Sequence, residues 1–162
     1  GPASPYPCYA VYKTLGSPYF DTLVKKIRER SGAILVTNKK IAQLLFKNHK
    51  NKKPALTYIV ADQTPKMNAF KHRDRFMGIR VPVFTGAEEL AKKLNLCVLY
   101  LKIEKPSRGR YRATYITLAE DAAQYPSFEI TRKFLDQLEG QIKAAPPYYL
   151  WTHKRWKHRE RV

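Results

Sequence analysis

Residues 8 to 13, CYAVYK, alternate in the manner of a strand, and over 17 to 32, SPYFDTLVKKIRERSG, the period lengthens to that of a helix. Tyr19, Leu23, Val24 and Ile27 fall on one face of that predicted helix. Ser17 and Pro18 suit its N-cap and first position, and Gly32 suits its stop. AILVT (33 to 37) predicts a short buried strand. Asn38 then predicts the cap of a second helix whose apolar stripe is Ile41, Leu44 and Leu45. A basic exit, KNHKNKKP (47 to 54), leads to ALTYIVA (55 to 61), a β-branched and aromatic run that predicts another strand. Strands alternating with helices predict an α/β fold, its sheet mostly parallel or mixed and flanked by helices.

From Asp62 to Arg80 the periodicity disappears, and DQTPKMNAFKHRDRFMGIR is predicted to be a long basic loop. Such loops are uncommon inside compact domains and are usually functional. This one follows directly on a predicted strand, and ligands of open α/β sheets sit at the carboxyl ends of strands, so it is the first choice for the wall of a site. Beyond it come VPVF (81 to 84), a short helix GAEELAKKLN (86 to 95), and the strands CVLYLKI (97 to 103) and RYRATYITL (110 to 118), paired across an EKPSRG turn. A long helix from about 127 to 144 carries Phe128, Thr131, Leu135, Leu138 and Ile142 at helical spacing and ends at APP.

A chain of 162 residues, 44% hydrophobic and 12% aromatic, is long and apolar enough for one folded domain. GPAS, residues 1 to 4, resembles the scar of a removed purification tag, which leaves 5 to 162 as the domain. Within it, 148 to 162, YYLWTHKRWKHRERV, forms a basic aromatic tail. Charge widens the picture: 31 Lys+Arg against 13 Asp+Glu gives +18, a field that attracts nucleic acid, anionic lipid or an acidic protein without choosing among them. Cys8 and Cys97 lie far apart with no metal-ligand spacing around them, as expected of two buried thiols in a reducing compartment. No run approaches the ~20 apolar residues of a membrane-spanning helix. No metal or cofactor is implied.

The order of several blocks chooses where charge does not. ADQTP after a strand, VPVFTGAEELAKKL, CVLYLKI and a helix running into PPYYLWTHKRWK together resemble the lipid A biosynthesis (lauroyl/myristoyl) acyltransferase family, within the lysophospholipid acyltransferase superfamily. That family typically ends in Pro-x-x-Tyr-x-Trp-x-His-[Arg/Lys]-Arg-[Phe/Trp]-Lys. Pro146, Tyr149, Trp151, His153, Lys154, Arg155, Trp156 and Lys157 match the stretch position by position. YAVYKTLGSPYFDTLVKKIRERSGA is similar to the family's strand, crossover helix and Arg-x-Arg-x-Gly. The resemblance implies a glycerolipid-acyltransferase-like fold and transfer of a fatty acyl chain from acyl carrier protein to a hydroxyl of a lipid A precursor, in lipopolysaccharide biosynthesis. It implies three partners: acyl carrier protein, an anionic glycolipid acceptor and the cytoplasmic face of the bacterial inner membrane. No nucleic acid is expected.

The superfamily's general base is the His of a His-x4-Asp/Glu block, which deprotonates the acceptor hydroxyl. None of the four His here qualifies: Pro54 stands five residues after His49, Met77 after His72 and His158 after His153, and the chain ends before His158+5. In the family that block lies upstream of the matching segment, beyond an N-terminal membrane anchor. The expectation is therefore a C-terminal fragment, soluble and inactive alone, with its catalytic base upstream.

The resemblance makes Asp62 and Gln63 site-organising residues, and Arg28 and Arg30 phosphate-binding ones, since a guanidinium holds phosphate oxygens bidentately. Read from the residues alone, Asp62 before Thr-Pro also suits a turn, and the two Arg suit the dipole at a helix C-terminus. Lys66, Lys71, Arg73 and Arg75 in the loop, with Trp151, Lys154, Arg155, Trp156 and Lys157 in the tail, are candidates for membrane or phosphate contact; a solvated basic surface is the alternative. His153 reads as a hydrogen-bonding residue rather than a base. Three other readings stay open: an acyltransferase for another lysolipid or aminolipid, a nucleic-acid binder using the tail to stack bases, and a non-catalytic module on the same fold.

Overall fold

A computed structural model describes residues 4–160. The expected tag remnant at 1 to 4 and the last two tail residues therefore lie largely outside the described residues. The chain is α/β, as expected, and divides after Val60 into two compact units.

The first unit is a three-stranded parallel sheet in the order β2-β1-β3: β1 (Cys8–Tyr12), β2 (Ile34–Thr37) and β3 (Leu56–Tyr58). Tyr9 lies opposite both Ile34 and Thr57. Parallel neighbours need long crossovers, and α1 (Pro18–Glu29) and α2 (Ile41–Lys50) supply them. Pro18 starts α1 and Gly32, at φ +82, ends its exit turn, but the Ser17 side chain makes no cap bond. Asp21 anchors the chain leading into the helix: its buried carboxylate accepts the Leu15 N–H at 3.0 Å and pairs with Lys25 at 2.6 Å. Lys25 in turn lies over the Tyr12 ring. With Asp21, Val24 and Lys25 turned inward, the rest of the predicted stripe, Tyr19, Leu23 and Ile27, faces outward, and Tyr19 is 89% exposed.

Three further expectations shift in this unit. Asn38 does not cap α2; it sits in a turn, its N–H donating to Tyr12 O, and the helix begins at Ile41. The strand expected over 55 to 61 is only three residues long. Ile34 of β2, expected to be buried, is exposed, because β2 is an edge strand.

The second unit holds two antiparallel hairpins against helices, so parallel pairing is confined to the first unit. The loop predicted over 62 to 80 is aperiodic only to Lys71; β4 (His72–Phe76) and β5 (Ile79–Val83) then form a hairpin. Its two-residue turn, Met77-Gly78, has φ of 51° and 80°, the mirror-image turn that matches strand twist. The strand β4, HRDRF, was hidden because its charges are used in ion pairs, leaving no apolar alternation to read.

Next come α3 (Gly86–Leu94) and the long hairpin β6 (Val98–Ser107)–β7 (Arg110–Ala119), whose pairing runs through most of the predicted turn to Arg108-Gly109. The helix α4 (Glu129–Ala144) then buries Ile130, Thr131, Leu135, Leu138 and Ile142. Phe128, expected on that face, instead precedes the helix at φ 70° and stacks flat on His72 at 4.0 Å. Glu88 of α3 caps α4 from outside: only 4% exposed, it accepts the Phe128 N–H at 2.6 Å, the Thr131 N–H at 2.8 Å and the Thr131 hydroxyl at 2.5 Å. Arg132 ties α4 to β4, reaching Asp74 at 3.1 Å and the Arg75 carbonyl, and also Glu139 at 3.0 Å on its own helix.

The core gathers Phe76, Val81 and Val83 of the first hairpin, Tyr100 and Leu118 of the second, and the α4 stripe. Tyr149 and Trp156 of the tail pack against it. The two thiols, expected to be buried, are not: Cys8 is half-buried and Cys97, just before β6, is exposed.

Candidate functional site

Asp62 and Gln63 open the second unit, and the loop that carries them is held from the far end of the chain. Thr64 is 8% exposed, and all three of its hydrogen bonds go to the tail. Its N–H donates to His153 Nε2 at 3.0 Å, its hydroxyl donates to the Arg155 carbonyl at 2.6 Å, and the same oxygen accepts from Arg155 Nη1 at 3.4 Å. Pro65, next along, is fully buried.

Arg155 is the pivot. It is 0% exposed, donates from Nη1 to Pro82 O at 3.0 Å and lies over the Phe76 ring at 4.9 Å. Its Nε and Nη2 have no hydrogen-bond partner, and neither has the buried Oδ1 of Asp62. Burial lowers the Arg155 pKa, opposed by Tyr149 and by the Asp62 charge. Tyr149 is pushed up, by burial first, with Arg155 opposing and Asp62 reinforcing. Tyr100 is pushed up to about 12, again by burial first and then by Asp62. A carboxylate, a guanidinium and two phenols thus share one electrostatic neighbourhood, and near neutral pH both phenols keep their protons.

His153 spends the lone pair of Nε2 on the Thr64 N–H, which assigns it the neutral Nδ1–H form and leaves that nitrogen no free lone pair for a base. Its role here is that of a hydrogen-bonding residue, as expected.

The other predicted residues separate into paired and free groups. Lys71 pairs with Glu89 at 2.5 Å. Arg73 lies over the Phe70 ring, donates to His158 O at 2.7 Å and stands 3.7 Å from Glu160, so it fastens the tail. Gln63, Lys66, Arg75, Lys154 and Lys157 are exposed. Trp151 is 51% exposed, while Trp156 is half-buried, donating to Phe76 O. Arg28 and Arg30 stand exposed at the C-terminal end of α1, in the first unit. Arg155, expected among the membrane or phosphate contacts, is a correction: a guanidinium with no exposed surface, stacked on Phe76, presents nothing to a membrane.

Sequence reasoning missed Thr64, Tyr100 and Glu88. Their partners lie 91, 41 and 43 residues away, and no local pattern carries that information. Tyr149, His153 and Arg155 carried a signal through the terminal motif, and Asp62 through the ADQTP block.

No cluster of three or more potential metal ligands occurs among the described residues, nor any helix long and apolar enough to cross a membrane. No curated protein matches the chain. The family model described as bacterial lipid A biosynthesis acyltransferase does match, over residues 3–158. That span takes in the first-unit sheet, the Asp62 loop, both hairpins and most of the tail, so the correspondence covers both units rather than one motif. The chain belongs to the bacterial lipid A biosynthesis acyltransferase family.

Proposed function

We propose that this chain is the C-terminal part of a membrane-associated O-acyltransferase that moves a fatty acyl chain from acyl carrier protein to a hydroxyl of a lipid A precursor. The observation that carries the reading is the family match across residues 3–158. In the reaction a base takes the proton of the acceptor hydroxyl, its oxygen attacks the thioester carbonyl, and the tetrahedral oxyanion collapses as the C–S bond breaks. The base would be the His of an upstream His-x4-Asp/Glu block, since His153, bonded to Thr64, is engaged through Nε2.

This segment would supply the surroundings. Asp62, its Oδ1 shielded and unpaired, would organise the site; Arg28 and Arg30, exposed on α1, would hold phosphate oxygens of the acceptor. The outer side of the tail suits an anionic bilayer surface: Tyr148, Leu150 and Trp151 are exposed beside Lys154 and Lys157. Lys66 and Arg75 extend the same basic character to the loop and hairpin.

The test is transfer from acyl-acyl carrier protein to a lipid A precursor by the intact enzyme. Asp62→Ala or Arg30→Ala is expected to abolish it without unfolding the protein, and wild-type turnover in either removes that residue from the site. Submicromolar binding of single-stranded oligonucleotide, with no affinity for anionic vesicles or acyl carrier protein, would overturn the reading as a whole.

A further inference from the structure

We propose that the terminal segment is a positioning clamp on the Asp62 loop and that Thr64, at the clamp's centre, is a positioning residue for acyl transfer. The inference rests on the reading of Asp62 as a site residue. The geometry that points to it is local: residues 62 to 71 form no helix or strand, so the backbone around Asp62 takes its placement from side-chain anchors. Two residues beyond Asp62, Thr64 supplies them through its N–H and both functions of its hydroxyl, every one directed to His153 or Arg155.

The next residue removes most of the remaining freedom. Pro65 fixes its own φ and restricts Thr64 to extended backbone. Past Pro65 the loop opens into exposed Lys66, Met67 and Asn68, and its next side-chain anchor from outside the loop and hairpin is the Lys71–Glu89 pair at its far end, so the Thr64 bonds are the ones that bear on Asp62.

The tail end of the clamp is itself immobilised. Arg155 is wholly buried against Phe76 and bonded to Pro82 O, His158 O is held by Arg73, and Glu160 by Arg80 at 3.2 Å. The stacked Trp151 and Trp156 rings, 6.4 Å apart, close the turn that brings His153 round to Thr64. Asp62 therefore sits two peptide units from a triple anchor whose other side is the hydrophobic core. A reacting constellation displaced by about 1 Å loses roughly a hundredfold in rate, so such an anchor sets turnover while touching no substrate.

Two variants of the intact enzyme, and two of this chain read by amide exchange, test the clamp. Thr64→Val keeps the shape and removes the hydroxyl; kcat is expected to fall about 10- to 100-fold while KM stays within about threefold. Thr64→Ser restores the hydroxyl and is expected to return kcat to within about threefold of wild type. His153→Ala is expected to speed hydrogen exchange at the Thr64 amide by about tenfold or more, and His153→Gln, which keeps an acceptor, by much less.

Wild-type kcat in Thr64→Val, equal losses in the Ser and Val variants, or unchanged Thr64 exchange in His153→Ala would each overturn the clamp. If Thr64→Val does not fold, the exchange measurement decides alone. Asp62→Ala with full turnover would instead remove the reading on which the proposal rests, while the exchange result would still report whether the anchor exists.

Discussion

Removing the Glu88 carboxylate should uncap α4. Helix α4 begins after Phe128, at a left-handed φ of 70°, whose hydrocarbon side chain has no atom able to accept from the N–H groups at the helix start. Glu88 reaches across from α3 and accepts two of those N–H groups and the Thr131 hydroxyl, with 4% of its surface exposed. Glu88→Ala deletes all three bonds and strands two buried donors, each costing about 1–3 kcal/mol. It also removes a negative charge from the positive end of the helix dipole, worth about 0.3–2 kcal/mol. Relief from desolvating a carboxylate offsets part of this, leaving a loss of about 3 kcal/mol. For a unit of this size, at 4–8 °C per kcal/mol, the expected drop in Tm is roughly 12–24 °C.

Glu88→Gln is the internal control. It keeps one oxygen acceptor but turns an NH2 toward the Thr131 N–H, and should lose about 1–2 kcal/mol. Thermal melts followed by circular dichroism and calorimetry read both values. A Tm within about 3 °C of wild type for Glu88→Ala, or equal drops for Ala and Gln, would refute the cap as the source of the stability.

Two further predictions concern buried charge. Tyr100, whose hydroxyl donates to Gln141 Oε1 at 2.8 Å, has a pKa pushed up from 10.0 to about 12. The folded state thus holds this proton to higher pH than the unfolded state, and the stabilisation is complete below pH 10 and lost as pH rises toward 12. The stability of wild type relative to Tyr100→Phe should fall by about 2–3 kcal/mol across that window, read from urea midpoints; a constant difference would refute it. Arg132→Ala should leave Asp74 and Glu139, with side chains 18% and 16% exposed, without their cation. The expected loss is about 2–4 kcal/mol, partly recovered by Asp74→Asn in the same chain, and a double-mutant coupling near zero would show that the pair contributes nothing.

How far the sequence foretold this structure depended on whether the signal was local. The stripe Thr131, Leu135, Leu138 and Ile142 predicted α4 and its buried face, because helix period and burial coincide there. The same argument found α1 but inverted its orientation. Asp21 and Lys25 make a local anchor that turns inward, which a hydrophobic stripe cannot anticipate. β4 was unreadable for the opposite reason: His72, Arg73 and Asp74 are polar residues on a half-buried strand, and their ring-stacking and ion-pair partners lie far along the chain. Met77-Gly78 was the one local hint of a hairpin, and Met is an uncommon residue at positive φ. The site followed the same division. Asp62 was singled out through a motif, whereas Thr64, two residues on, is defined only by contacts with residues 153 and 155.

The tail is where composition misleads most, because its basic residues do two physically different jobs. Lys154 and Lys157 are exposed, and a lysine there is a hydrated point charge. Arg155 between them is fully buried, and only a guanidinium suits that place: planar, weakly hydrated, able to stack on Phe76 while donating in plane to Pro82 O. A lysine at 155 would bury a strongly hydrated ammonium with one carbonyl for company. The aromatics divide in the same way, Tyr149 and Trp156 toward the core and Tyr148 and Trp151 outward. The block Tyr-x-Trp-x-His-Lys-Arg-Trp-Lys is therefore two interleaved sets. Its inward members, Tyr149, His153, Arg155 and Trp156, have their spacing dictated by the Asp62 loop and the first hairpin. The outward members are constrained by what the surface meets. A search for stripes of charge merges the two sets, and the hydrogen bonds of Thr64 separate them.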